Sequence, residues 1–244
     1  MEQIPHTLYA EPFVGMGGVF FRRNLIPKAE AINDITGDVV TLFRILQRHY
    51  LQFMETMKFQ ITSRKEFERL SSSDPDTLTD LERAARFLYL QRLAFGGKVK
   101  GRSFGVDTTG PARFNINRLG PILEEVHERL SGVVIERLPW EAFIDRYDNA
   151  GTLFYLDPPY LGCETDYGKN VFSRSDFMRI AAKLSSIKGR FVVSLNDRVE
   201  VREVFAEFRI CDVPLTYTIA GGDGKPVSEV IIMDNKDPEV VNLP

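Results

Sequence analysis

Apolar and polar positions along the chain switch between two periods, and the switches mark out the elements. Runs of strand length and composition fall at His6–Glu11, Ala29–Asn33, Gly132–Ile135, Thr152–Leu156, Phe191–Leu195 and Phe208–Val213. Helical spacing fills much of the rest. Asp38 to about Met57 places Val39, Leu42, Phe43, Leu46 and Tyr50 on one side. Ser63-x-x-Glu66 is a capping box that opens a short helix through Leu70. Thr77 to Phe95 predicts a long helix closed by Gly96-Gly97. Further helices are predicted over Leu119–Leu130, from behind Leu138-Pro139-Trp140-Glu141 to Tyr147, and over Asp176–Ile187 and Arg198–Phe205, with one opening at Val19–Arg23. Leu215–Ile219 and Val227–Met233, around Gly221-Gly222-Asp223-Gly224, predict an antiparallel hairpin, with a frayed tail from Asp234 to Pro244. Strands that alternate with helices and finish in a hairpin give an α/β fold, a mostly parallel sheet covered on both faces.

Two stretches at strand ends carry candidate chemistry. The first is Leu156-Asp157-Pro158-Pro159-Tyr160, directly behind the run Thr152–Leu156. Two consecutive prolines stop any ladder or helix, since each lacks an N–H and fixes φ. A carboxylate, exposed carbonyls and an aromatic ring thus gather at the carboxyl end of a buried strand, the edge where open α/β sheets bind ligands. An exocyclic amino group offers two donors. The Asp157 carboxylate and Pro158 carbonyl are acceptors on adjacent residues, and Tyr160 offers a face on which a flat ring can stack. Such a site suits a base drawn out of a duplex.

The second is Glu11-Pro12-Phe13-Val14-Gly15-Met16-Gly17-Gly18, behind the first strand. Glycines there let backbone approach a ligand closely, with a helix N-terminus facing it. The spacing is not G-x-G-x-x-G. Asp34 follows Gly15 by 19 residues, close to the interval of about 20 at which a nucleotide-binding acid grips ribose hydroxyls. Capping the helix near Gly37 is the other role open to Asp34; the loop before it favours the ribose.

With 244 residues, 43% of them hydrophobic and 27% charged, the chain suits one α/β domain with an insertion, or two small domains. No apolar run reaches membrane-spanning length and no signal-peptide pattern opens the chain, so a cytoplasmic protein is expected. Cys163 and Cys211 make no disulfide framework, and the scattered His6, His49 and His127 argue against a metal site. The net charge of −3 does not suggest nucleic acid, but its distribution does. From Arg83 to Arg118 there are eight basic residues against Asp107, a local +7. Val99–Asn117 within it is glycine-rich and aperiodic, which predicts a surface loop. A second loop, Leu161–Ser173, is long enough to fold over the proline-bearing strand end.

Taken together, these residues resemble the Dam-type, DPPY-containing (D12 class) N6-adenine DNA methyltransferases, and look closest to the small solitary enzymes of phages and prophages. The resemblance implies a Rossmann-like, seven-stranded methyltransferase sheet with an inserted helical target-recognition domain. The catalytic domain would take residues 1–57 and 131–244, and the insertion residues 58–130. S-adenosylmethionine is the implied cofactor and double-stranded DNA the implied partner. The glycine stretch resembles the family's cofactor loop, which gives Glu11, Pro12, Phe13, Gly15 and Gly17 cofactor roles; Asn33-Asp34 resembles the motif whose acid holds the ribose. Asp157, Pro158, Pro159 and Tyr160 take the catalytic role, with Asp157 also beside the cofactor. Phe87–Arg92 through Phe95-Gly96-Gly97 resembles the family's helix-then-glycine segment, and Phe114-Asn115-Ile116 the extended piece after its loop. Phosphate contacts are expected from Arg92, Lys98, Lys100 and Arg102.

Two departures stand out. Pro139-Trp140 occupies the place of an Asp-Phe pair that contacts the cofactor's adenine in many relatives. Trp140 then either covers that ring or wedges between helix and sheet. The segment Met1–His6 also lacks the Gly-Gly-Lys-like motif that relatives usually carry before the first strand. Two other functions fit the same residues: a non-catalytic DNA-binding remnant, or methylation of another planar acceptor such as cytosine N4 or a glutamine amide.

Overall fold

Seven strands form one sheet: β1 (Leu8–Glu11), β2 (Ala29–Asn33), β3 (Val134–Glu136), β4 (Thr152–Leu156), β5 (Arg190–Asn196), β6 (Arg209–Tyr217) and β7 (Lys225–Met233). Their order is β3-β2-β1-β4-β5-β7-β6. The pairs β1–β2, β1–β4 and β4–β5 are parallel, and β5–β7 and β6–β7 antiparallel. Eight helices accompany them: α1 (Gly37–Arg48), α2 (Tyr50–Met57), α3 (Arg64–Ser72), α4 (Asp80–Leu93), α5 (Ile116–Arg129), α6 (Trp140–Tyr147), α7 (Arg174–Ser186) and α8 (Val199–Val204). The computed structural model describes residues 1, 3–94, 103–105, 113–162, 172–217 and 225–236, and all counts refer to these. It divides into two units, residues 1–35 with 136–244, and residues 36–135. Residues 36–57 thus cluster with the helices that follow them.

In the first unit, strand alternation sorts the sheet into two faces of different character. Ala10, Ala31, Phe154, Leu156, Val193, Leu195, Val230 and Ile232 point to one face, where Phe143 and Ile144 of α6, Phe177, Ile180 and Leu184 of α7, and Val201 of α8 complete a dry core. Each large side chain buried there contributes about 1.5–3 kcal/mol. The opposite face carries Tyr9, Glu11, Glu30, Tyr155 and Ser194, all buried polar side chains. Tyr9 donates its hydroxyl to Glu11, and the Arg23 guanidinium lies 3.3 Å above the Tyr9 ring centroid while pairing with Glu30 at 2.8 Å.

The second unit is built on α1 and α4, which bury Val39, Leu42, Phe43 and Leu46 against Ala84, Phe87 and Leu88. Thr79 and Glu82 form a full capping box at the start of α4. Ser63 caps α3 by accepting from the Glu66 N–H, whereas the Glu66 carboxylate turns to Arg69 and Gln60. Arg83 bridges Asp38 and Asp76, and Arg86 donates to the Leu70 carbonyl at 2.6 Å. Two of the eight basic residues counted above are therefore internal fasteners, not free cations.

Several elements differ from expectation. The single helix over 38–57 is two, parted at His49, whose φ/ψ of −128°/34° leaves helical space. Val19–Arg23 forms only a 3-10 turn, Phe20–Arg22. Arg23 is extended there because its guanidinium is drawn down to Tyr9 and Glu30, so no α-helix N-terminus follows the glycine loop. The strand expected to stop near Pro214 runs on through Tyr217, because β6 is an edge strand and can spare an N–H. The tail does not fray at Asp234, which is buried. Its carboxylate accepts from Arg190 Nε at 2.9 Å and from the Phe191 N–H at 3.1 Å. The helix expected over Thr77–Phe95 spans only Asp80–Leu93, with Ala94 already extended at φ/ψ of −65°/136°. Gly96 and Gly97, and most of the loops over 99–117 and 161–173, lie outside the described residues.

Removing one partner of such a buried pair strands the other. Asp234→Ala should lower stability by about 3 kcal/mol, read as a lower urea midpoint with an unchanged slope.

Candidate active site

The carboxyl ends of β1, β2, β4 and β5 lie side by side in the sheet, and the site is assembled there. Behind β1 the chain turns at Val14–Gly17, with Gly17 N–H donating to the Val14 carbonyl at 2.8 Å and Val14 N–H to the Asn33 carbonyl at 2.9 Å. Gly15 and Gly17 have φ of +50° and +73°. At Gly17 a Cβ would sit 2.3 Å from the Phe21 ring, so both conformation and space require glycine. The Gly15 N–H donates to Asp34 Oδ2 at 3.0 Å, which fastens the loop to the end of β2.

Asn33, the last residue of β2 and fully buried, ties a third segment in. Its Nδ2 donates to the Leu138 carbonyl at 3.1 Å and to the Pro12 carbonyl at 2.9 Å, while its Oδ1 accepts from the Leu138 N–H at 2.8 Å. Asn196, the last residue of β5, repeats the device. Its Oδ1 accepts from the Leu161 N–H and its Nδ2 donates to the Leu161 carbonyl, both at 3.0 Å. The turn after the double proline is thereby held to β5. Gly162 follows at φ +94°.

A cavity of about 690 Å³ opens between these strand ends, within the range typical of small-molecule sites. Pro12, Phe13, Gly15, Asp34, Trp140, Asp157 and Pro159 line it, so the structure brings both sequence stretches to one concavity. Glu11, Gly17, Pro158 and Tyr160 are not among its lining residues. Glu11 is buried beneath, and burial pushes its carboxyl up to about 8 against the pull of the Tyr9 hydroxyl and Arg23. Tyr160 is half-buried against the core, its hydroxyl donating to Glu229 at 2.6 Å. Trp140 packs with Phe13 at a 6.4 Å centroid distance, and Phe172 meets Phe13 edge-on at 6.0 Å. Arg179, on α7, lies 5.6 Å over the Trp140 ring and pairs with Glu141 and Asp176. Trp140 therefore both belongs to the core and presents an edge to the cavity.

Asp157 is exposed into the cavity but crowded by protein on its other sides. Incomplete solvation, helped by the negative Glu229, raises its carboxyl to about 6, although the Ser194 hydroxyl that donates to Oδ1 at 2.9 Å pulls the other way. Arg92 is exposed in the last turn of α4 in the second unit. Lys98, Lys100 and Arg102 lie outside the described residues. Sequence reasoning missed the roles of Asn33, Ser194, Asn196, Glu229, Phe172 and Arg179. Ser194, the lone hydroxyl in an apolar strand two residues before an asparagine, was the one visible signal.

The sequence model of the D12 class N6 adenine-specific DNA methyltransferases matches residues 1–219. The chain belongs to that family. It is similar to the type II methyltransferase M.CviBI of Paramecium bursaria Chlorella virus NC1A, with 23% identity over 82% of this chain and 76% of that one. It is similar also to the type II methyltransferase M1.LlaDCHI of Lactococcus lactis subsp. cremoris, with 27% identity over 88% and 84%. The DNA N-6-adenine-methyltransferase of Escherichia phage P1 shares 26% identity over 68% of this chain and 22% of its own length. As a member of the family, the chain is an enzyme that transfers a methyl group to the N6 amino group of adenine in DNA. Among the described residues no helix is long and apolar enough to cross a membrane.

The raised Asp157 carboxyl has a thermodynamic sign. A native-state value of about 6, above the ordinary 3.8, means the folded protein holds this proton more tightly than the unfolded chain does. Ionised Asp157 therefore destabilises the fold, progressively as pH rises from about 4 to 6. Asp157→Asn should melt higher than the parent at pH 7.5, and the difference should vanish at pH 4. Calorimetric scans at the two pH values check this.

Proposed function

We propose that the methyl donor is S-adenosylmethionine, held in the cavity that Gly15, Asp34, Trp140 and Asp157 line, and that Asp157 and Pro158 grip the target adenine at its rim. One observation carries the proposal: the loop fastened to Asp34 and the carboxylate of Asp157 open onto the same cavity. Charge supports it. Asp34, Glu141, Asp157 and Asp176 line the space against Arg179, an acid excess that favours a cationic ligand. The mixture of aromatic wall and carboxylate also suits a nucleoside, whose ring wants an apolar surface and whose hydroxyls want acceptors. Asp34 holds the loop and takes the ribose hydroxyls, and Phe13 and Trp140 cover the purine. The bound donor supplies an electrophilic methyl group.

The chain's own residues do the rest. The adenine N6 is a poor nucleophile because its lone pair is delocalised into the ring. Accepting hydrogen bonds from its two N–H groups at the Asp157 carboxylate and the Pro158 carbonyl favours a tetrahedral nitrogen with a localised pair. The positive charge that develops on nitrogen is stabilised by Asp157. Tyr160, its hydroxyl anchored on Glu229, offers its ring to the extruded base. The helical insertion, residues 58–130, carries target recognition; Arg92 and, after it in sequence, Lys98, Lys100 and Arg102 contact phosphates.

The test is radiolabelled methyl transfer to adenine-containing duplexes, with cytosine-only duplexes as control, and calorimetric titration with S-adenosylmethionine. Asp157→Ala should cut transfer by about 10²–10³-fold or more while still binding the donor. Asp34→Ala should weaken donor binding by about 10- to 100-fold. Transfer by the parent should fall about tenfold per pH unit below pH 6 as Asp157 gains its proton. A folded parent that binds no donor, or that labels only the cytosine duplex, overturns the proposal.

A further inference from the structure

Ser194 sits in the middle of the buried strand Phe191-Val-Val-Ser-Leu195. Alternation sends Val193 and Leu195 into the dry core and turns Ser194 to the polar face, together with Tyr155 of the neighbouring strand. A hydroxyl buried to this depth is costly unless bonded, and it makes two bonds. One goes to Asp157 Oδ1 at 2.9 Å, the other joins Ser194 Oγ to the Tyr155 hydroxyl at 2.9 Å. The direction of both follows from counting protons. A carboxylate only accepts, so the single Ser194 hydrogen points to Asp157. Tyr155 must then donate to Ser194. The chain Tyr155 to Ser194 to Asp157 is ordered, and each donor strengthens the next. Among the described residues, Asp157 Oδ2 receives no hydrogen bond and remains for a ligand.

We propose that Ser194 is a positioning residue for methyl transfer: by donating to Oδ1, with its own orientation fixed by Tyr155, it sets the rotation of the Asp157 carboxylate and keeps Oδ2 toward the target amino group. This rests on the role of Asp157 given above. The groups around that carboxylate come from four strands. Glu229 of β7 and Glu11 of β1 are acids, Tyr155 of β4 is a neutral phenol, and Ser194 of β5 is the hydrogen-bond donor. Poor solvation and the Glu229 charge oppose ionisation of Asp157, Ser194 favours it, and Glu11, which keeps its proton up to about 8, adds no charge there. Without that hydroxyl, Asp157 loses both its fixed rotation and its hold on the charged form.

The measurement is the pH profile of kcat/KM for methyl transfer to an adenine-containing duplex, in the parent, Ser194→Ala, Ser194→Thr and Tyr155→Phe. In Ser194→Ala the acid limb should move up by about one pH unit, on top of a pH-independent loss from the freed rotation, so that the deficit against the parent is about fivefold larger at pH 6 than at pH 9. Ser194→Thr, which keeps the hydroxyl, should restore the limb. Tyr155→Phe should move it in the same direction by less. A merely structural role would lower the rate at every pH without moving the limb, and that result in Ser194→Ala overturns the proposal. Should Ser194→Ala prove unfolded by circular dichroism, Tyr155→Phe decides, and an unmoved limb there is equally fatal. A parent profile with no limb near pH 6 overturns the role of Asp157 itself, which is a different failure.

Discussion

Where a parallel strand ends, its backbone N–H and C=O groups lose their ladder partners, and the site has to be built among those orphaned groups. Two asparagine side chains resolve this in the same way. A carboxamide has the donor and acceptor of a peptide group, and Asn33 and Asn196 each use both on one residue, Leu138 and Leu161 respectively. Each is the last residue of its strand, so each in effect prolongs the sheet by one peptide unit sideways. The connection after β3 is thereby held to β2, and the turn after the double proline to β5. The loops behind β1, β3 and β4 at the cavity hang on those two clasps and on the Gly15–Asp34 bond, while α6 and α7 supply the remaining wall. Buried backbone groups are almost always satisfied, and here satisfying them also fixes the cavity walls.

The same arrangement concentrates carboxylates where solvation is poor. Glu11 of β1, Asp157 behind β4 and Glu229 of β7 fall on the same polar face of the sheet, and Glu11 and Asp157 both hold their protons more tightly than free carboxyls do. Such a set is a cost to folding, offset by the dry face, where α6, α7 and α8 bury one aromatic or aliphatic side chain after another. Glu11 and Asp157 differ in what they can do with the cost. Glu11 is closed in beneath the loop with Tyr9, whereas Asp157 opens to the cavity and can spend its charge on a ligand.

How much of this could be read from the sequence depended on whether the cause was local. The bounds of β2 and β4 were legible because each is a short run of strand composition with its own terminator, Asp34 behind β2 and the double proline behind β4. The proline pair and the glycine loop were legible because each imposes a backbone conformation without help from elsewhere. Arg83 and Arg86 misled for the opposite reason: a count of charges cannot tell an arginine on the surface from one whose guanidinium is already shared with Asp38, Asp76 or the Leu70 carbonyl. Val19–Arg23 misled because its helical residues compete with a buried pairing of Arg23 that only the tertiary structure reveals. Asn33 and Asn196 looked like ordinary strand ends, since their partners lie 105 and 35 residues away.

Strand parity explains why Asp157 can reach a ligand at all. Phe154 and Leu156 point into the dry core, so Tyr155 and Asp157 must point away from it. The parallel register that sets Tyr155 beside Val192 and Leu156 beside Val193 gives Ser194 the same parity as Asp157. Neighbouring strands lie about 4.8 Å apart, which a hydrogen bond between two short side chains can span. A slip of one residue in β4 would turn Asp157 into the hydrocarbon of α7 and bring Leu156 to the cavity. A slip of one residue in β5 would leave Asp157 beside Val193 or Leu195, with no hydroxyl to oppose the acids around it. The chemistry at the strand end is therefore specified by the packing of the face it does not use: the phenylalanines and leucines of the core hold the register, and the register holds the carboxylate.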